Sequence, residues 1–130
     1  MAKNNKVLLV DDEADFREIM GSFLKRRKIA YETAGGCMEA LDWLGQDHFN
    51  VVVMDVVMPG LDGLKCMAEM KKLQPELAII ILTGNASINT GVMSMKQGAF
   101  DFCMKPVDFE ELLERIILAG EKSGLRATPQ

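Results

Sequence analysis

Four short apolar runs punctuate the chain, and each stops on a polar residue. Val7-Leu8-Leu9-Val10 stops at Asp11-Asp12, and Val51-Val52-Val53-Met54 stops at Asp55. Leu77 to Leu82 stops at Thr83-Gly84, and the weaker run Phe100 to Met104 stops at Lys105-Pro106. A strand wetted on one side alternates apolar and polar residues. A run that does not alternate is buried on both faces, the condition of a parallel strand covered by helices. A further stretch, Ile29 to Thr33, mixes in polar residues and reads as an edge strand.

Helical spacing fills the intervals. Phe16, Ile19, Met20, Phe23 and Leu24 form one apolar stripe; Ala40, Leu41 and Leu44 a second; Leu64, Met67 and Met70 a third. Phe109, Leu112, Leu113, Ile116 and Ile117 keep the i, i+3, i+4, i+7 spacing best. That last helix starts at Asp108 with Glu111 three residues on, the pattern of a capping box. Between Thr83 and Phe100, the residues Ser87 to Gly91 are poor or middling helix formers, so a helix over 87–97 is expected to be the least stable. Strand and helix thus alternate along the chain, which predicts an α/β domain with helices on both faces of a doubly wound parallel sheet. The domain is expected over residues 5–120, with 121–130 a flexible tail or the start of a linker.

Composition removes several classes. Apolar residues make up 48% of the 130 residues, too many for a disordered chain. No apolar run approaches the roughly 18 residues of a membrane span, and the N-terminus lacks the pattern of a signal peptide. A net charge of −4 argues against direct nucleic-acid contact by this domain. Cys37, Cys66 and Cys103 are widely spaced, with no Cys-x-x-Cys, and read as reduced thiols in a cytoplasmic protein. Most of the ten methionines are expected in the core.

In an open parallel sheet the ligand crevice lies beyond the carboxyl ends of the strands. Asp11, Asp12, Asp55, Thr83 and Lys105 all stand there. One such Asp is ordinary turn or cap chemistry; polar residues at the ends of several strands are hard to explain that way. Crowded carboxylates repel, and one lysine cannot balance three of them. A divalent cation can, and an all-oxygen site favours Mg²⁺ or Mn²⁺. Mg²⁺ commonly shares its shell with phosphate oxygens, and a carboxylate can attack phosphorus to form an acyl phosphate. The residue types therefore point to phosphoryl transfer, with Lys105 and the Thr83 hydroxyl stabilising charge.

The motifs Val10-Asp11-Asp12-Glu13, Met54-Asp55-Val56-Val57-Met58-Pro59-Gly60-Leu61-Asp62-Gly63, Leu82-Thr83-Gly84 and Lys105-Pro106 resemble the receiver domain of two-component response regulators. The resemblance runs from about Lys6 to Ala119. It implies a flavodoxin-like five-stranded sheet in the order 2-1-3-4-5 and a cis Lys105–Pro106 peptide. It implies that Asp55 accepts a phosphoryl group from a histidine kinase or phosphotransfer protein. Asp12, Asp55 and the Val57 backbone carbonyl would hold Mg²⁺, with Asp11 acting mainly through water. Thr83 and Lys105 would hold the phosphoryl oxygens. Phe102, three residues before the lysine, would turn inward as the switch aromatic, without the hydroxyl that Tyr carries in many relatives. Such a domain is regulatory, its only chemistry being its own phosphorylation and dephosphorylation. It controls an output domain, here that of a transcriptional regulator, or acts alone by docking a partner, and it can form homodimers through its last strands and helices.

Other features read more plainly. Lys25-Arg26-Arg27-Lys28 suits a solvated helix C-terminus, Trp43 half-buried packing, Pro59-Gly60 a turn, Glu13 an early helix acid, and His48 a surface loop. A flavodoxin-like electron carrier shares the topology. It needs a Ser/Thr/Gly-rich phosphate loop where this chain has Asp11-Asp12-Glu13, and those acids would repel a flavin phosphate.

Overall fold

A computed structural model describes residues 6–55, 57–58, 61–84, 93 and 95–122. The strands are β1 (Lys6–Val10), β2 (Ala30–Ala34), β3 (Val51–Asp55), β4 (Val57–Met58), β5 (Leu61–Asp62), β6 (Ala78–Thr83) and β7 (Asp101–Met104). The helices are α1 (Ala14–Arg26), α2 (Cys37–Gln46), α3 (Gly63–Leu73) and α4 (Phe109–Lys122). The main sheet has five parallel strands in the order β2-β1-β3-β6-β7. Counting sheet strands alone, that is the expected order 2-1-3-4-5. β4 and β5 form a separate antiparallel pair just after Asp55, which the sequence reading did not anticipate. Two-residue strands carry too little periodicity to be read from sequence.

Alternation along the strands divides the core between the two faces. Leu8, Val10, Val52, Met54, Ile79 and Ile81 pack towards α2 and α3. Val7, Leu9, Val51, Val53, Ile80 and Leu82 pack towards α1 and α4. Both sets are fully or almost fully buried, which is why Val7–Val10, Val51–Met54 and Ala78–Leu82 contain no polar residue. β2 lies at an edge, and its first residue, Ala30, is exposed.

Helix ends follow local chemistry. The Asp108 carboxylate accepts the backbone N–H of Glu110 at 3.0 Å and of Glu111 at 3.3 Å, capping α4. The reciprocal half of the expected capping box is missing, because the Glu111 carboxylate pairs with Arg115. α1 ends in a Schellman-type turn. Lys28 takes the left-handed conformation at φ 61°, and the Ile29 N–H donates to the Leu24 carbonyl at 3.0 Å. Arg27, from the basic run, reaches Glu110 and ties α1 to α4. The Trp43 indole N–H donates to the Thr33 carbonyl and anchors α2 to the edge strand.

One expectation fails. Cys37 and Cys66 are joined by a disulfide, not held as separate thiols. Their sequence separation of 29 hid the pairing, but α2 and α3 lie side by side and bring the two Cα atoms to 6.1 Å. Cys103 is free and only half-buried. The methionines whose side chains are described divide between core and surface, with Met104 half-buried. Met20, Met54, Met67 and Met70 are buried, whereas Met38, Met93 and Met95 are exposed. The expected weak helix over 87–97 lies largely outside the described residues, as does the tail beyond 122; 93, 95 and 96 are helical. No helix among the described residues is long and apolar enough to cross a membrane.

Candidate functional site

Each polar residue of the crevice arrives at the end of a strand. β1 and β3 are neighbours, so Asp11 and Asp12 emerge beside Asp55. β6 and β7 pair with Thr83 opposite Met104, which puts Lys105 one residue beyond the pair. A 2.7 Å hydrogen bond from the Lys105 N–H to the Thr83 carbonyl continues the ladder past the strand. The Lys105–Pro106 peptide is cis, as expected.

The carboxylates of Asp11, Asp12 and Asp55 offer oxygens that all lie within 4.8 Å of one another. Asp11 and Asp55 are buried, and Asp12 faces solvent. The Lys105 ammonium donates to Asp55 Oδ2 at 2.5 Å and stands 3.7 Å from Asp11 Oδ2. The second distance allows an ion pair but no hydrogen bond. Asp11 is held firmly: its Oδ1 accepts the Glu13 N–H at 2.9 Å, and its carbonyl accepts Arg17 Nη1 at 2.6 Å. Its Oδ2, fully buried, has no hydrogen-bond partner in the structure.

The electrostatics follow from this crowding. Burial lifts the Asp11 carboxyl above the usual range; the Glu13 N–H and the Lys105 charge pull it back, and Asp55 adds to the rise. Burial works to lower the pKa of Lys105. Its hydrogen bond to Asp55 and the charges of Asp11 and Asp55 outweigh burial, and the ammonium is held above its ordinary value.

These residues fit a divalent cation. Three convergent carboxylates, with one buried oxygen lacking a donor, make an oxygen-rich and undercompensated site. Val57, whose carbonyl was expected to complete the ligands, follows Asp55 closely in β4; its side chain lies outside the described residues. Thr83 is fully buried, and its hydroxyl donates to the Met104 sulfur at 3.5 Å. Phe102 is half-buried and packs against the core facing α2 and α3. The Thr83–Met104 contact and the Arg17 clamp on Asp11 escaped sequence reasoning. Neither has a local pattern: one depends on the β6–β7 register, the other on how α1 leaves the crevice.

The model of the response regulator receiver domain family matches residues 7–117. The chain is a response regulator receiver domain. This receiver is 33% identical over 125 residues to the C4-dicarboxylate transport transcriptional regulatory protein DctD of Rhizobium meliloti, covering 96% of this chain and 27% of that protein. It therefore spans about a quarter of the length of that curated relative. A response regulator receiver domain protein from Clostridium thermocellum superposes with a TM-score of 0.87 at 32% identity, covering 93% of this receiver and 98% of that chain. A response regulator from Burkholderia pseudomallei, solved with a phosphorylated aspartic acid, a calcium ion and citrate, gives a TM-score of 0.81 at 31% identity, covering 92% of this receiver and 70% of that chain.

Proposed function

We propose that Asp55 is the phospho-acceptor of this receiver and that the crevice works as a Mg²⁺-dependent signalling switch. The observation that carries the reading is the buried carboxylate of Asp55, hydrogen-bonded to the Lys105 ammonium at 2.5 Å and flanked by two further acids. The Burkholderia relative, solved with a phosphorylated aspartic acid and a calcium ion, supports the same chemistry here.

An Asp55 oxygen attacks the phosphorus of a phosphohistidine, or of a small acyl phosphate. The new P–O bond forms as the donor's P–N or P–O bond breaks, and the leaving imidazole takes up a proton. Lys105 then moves its hydrogen bond from the carboxylate to a phosphoryl oxygen, and the Thr83 hydroxyl donates to another. Asp12, Asp55 and the Val57 carbonyl would hold Mg²⁺, with Asp11 acting through water; Mn²⁺ can substitute. Held there, the cation would neutralise charge on the transferring group. Loss of the Thr83 resting position, followed by Phe102, carries the change towards the 87–97 segment and α4. The partners are a histidine kinase or phosphotransfer protein upstream and an output domain downstream. The transcriptional regulators among its relatives support a transcriptional output; a stand-alone receiver that docks a partner would use the same crevice.

Incubation with a small acyl phosphate and Mg²⁺ should add one phosphoryl group, read by intact mass. The adduct should survive acid and be lost in base. Labelling of Asp55→Asn at the parental rate would show that the acceptor lies elsewhere.

A further inference from the structure

We infer that Met104 is a positioning residue for the phosphoryl switch, its sulfur holding the Thr83 hydroxyl in the resting state. This rests on the reading of Asp55 as the phospho-acceptor and adds a residue to it. Thr83 and Met104 are register partners across β6 and β7, and partnered residues of parallel strands present their side chains on the same face. The Thr83 hydroxyl, inaccessible to solvent, donates to the Met104 sulfur at 3.5 Å. A hydroxyl has one proton to donate. It can go to sulfur or to a phosphoryl oxygen, not to both.

The two acceptors differ in strength. A thioether is a weak acceptor, whereas an anionic phosphoryl oxygen forms a short charge-assisted bond. The exchange therefore runs towards the phosphoryl group once it is present, while in its absence the sulfur gives the buried hydroxyl a partner. Residue 104 thus sets how much of the phosphoryl group's pull on Thr83 is spent breaking the resting contact. Methionine suits this task, because its unbranched side chain can withdraw by rotation. Met104, Phe102, Pro106 and Leu112 are among the residues that line a pocket of about 260 Å³ beside β7. Met104 is also half-buried, not locked in the core. The contact couples the crevice to the side of β7 that carries Phe102, since residues 102 and 104 share a strand face.

The test measures binding of beryllium fluoride, an acyl-phosphate mimic, in the presence of Mg²⁺ by calorimetry. Met104→Leu conserves volume and removes the acceptor; it should tighten binding about threefold, the factor expected from releasing one weak hydrogen bond. Met104→Gln offers a stronger carbonyl acceptor and should weaken binding by about the same factor. In a Thr83→Val background neither change should alter affinity. Equal effects of Met104→Leu in both backgrounds, or none in the parent, would overturn the proposal. Binding by Asp55→Asn as tight as the parent's would instead overturn the acceptor assignment.

Discussion

At the amino ends of the strands the packed polar side chains are two amides, buried Asn50 and half-buried Gln74, and at the carboxyl ends the buried polar side chains are Asp11, Asp55 and Thr83. Asn50 sits at the amino end, just before β3. Its Oδ1 accepts the Lys6 N–H at 2.6 Å, its N–H donates to the Lys6 carbonyl, and its carbonyl accepts the Ala78 N–H. Nearby, the Gln74 amide donates to the carbonyls of Leu44 and Asp47 and accepts the Phe49 N–H at 3.1 Å. One side chain thus closes α2, the start of β3 and the end of α3. The carboxyl end holds Asp11 and Asp55 with a single lysine between them. Both ends leave a buried atom without a hydrogen bond: Asn50 Nδ2 below and Asp11 Oδ2 above. An unpaired amide hydrogen is a modest cost, whereas an unpaired oxygen of an ionisable carboxyl is a larger one. The amino end has been arranged for stability. The carboxyl end keeps uncompensated charge, which is what a cation and a phosphoryl group need.

Substitutions at the two ends should therefore have opposite profiles. The largest effect is expected from Asp55→Asn, which should abolish phosphoryl labelling in intact-mass spectra while leaving the urea midpoint near the parent's. Gln74→Ala should do the reverse. It strands three backbone groups and should cost about 2 kcal/mol of stability by urea denaturation, with labelling by an acyl phosphate unchanged. Asp11→Asn tests the crevice for stored repulsion. Its carboxyl sits above the usual range, so its charged form is disfavoured by folding, and neutralising it should raise the urea midpoint at neutral pH. A loss of stability there would remove the contrast between the ends. The smallest effect concerns Lys28, whose left-handed backbone lies where α1 turns into β2. Lys28→Gly should gain about 0.5 kcal/mol, seen as a slightly higher melting temperature.

The sheet was legible because its strands are buried on both faces. Burial removed polar residues from Val7–Val10, Val51–Met54 and Ile79–Leu82, and the polar residues that ended each run marked the crevice at once. Strand limits shifted by a residue, as with the second strand, which spans Ala30–Ala34 where Ile29 to Thr33 was expected. That shift has a local cause, since the Ile29 N–H is still bonded to Leu24 in the turn that ends α1. The features that stayed hidden are side-chain contacts between elements distant in sequence. Gln74 looks like any polar residue near a helix end, Met104 like any apolar strand residue, and Cys37 and Cys66 like unrelated thiols. Each acquires its role only when α2, α3, β6 and β7 are side by side.

The bond between Cys37 and Cys66 turns the chain between them into a covalent ring, and β3 with Asp55 lies on that ring. A backbone cut between 37 and 66 would open the ring without separating the two halves until the disulfide is reduced. The sequence has no Lys or Arg from Ile29 until Lys65, and the next lies at Lys71. Trypsin should therefore release the Asp55 peptide, 29–65, still joined to the short peptide 66–71. In a digest made without reductant, any phosphoryl group on Asp55 would travel on this branched two-chain product, and a search for the linear peptide alone would miss it.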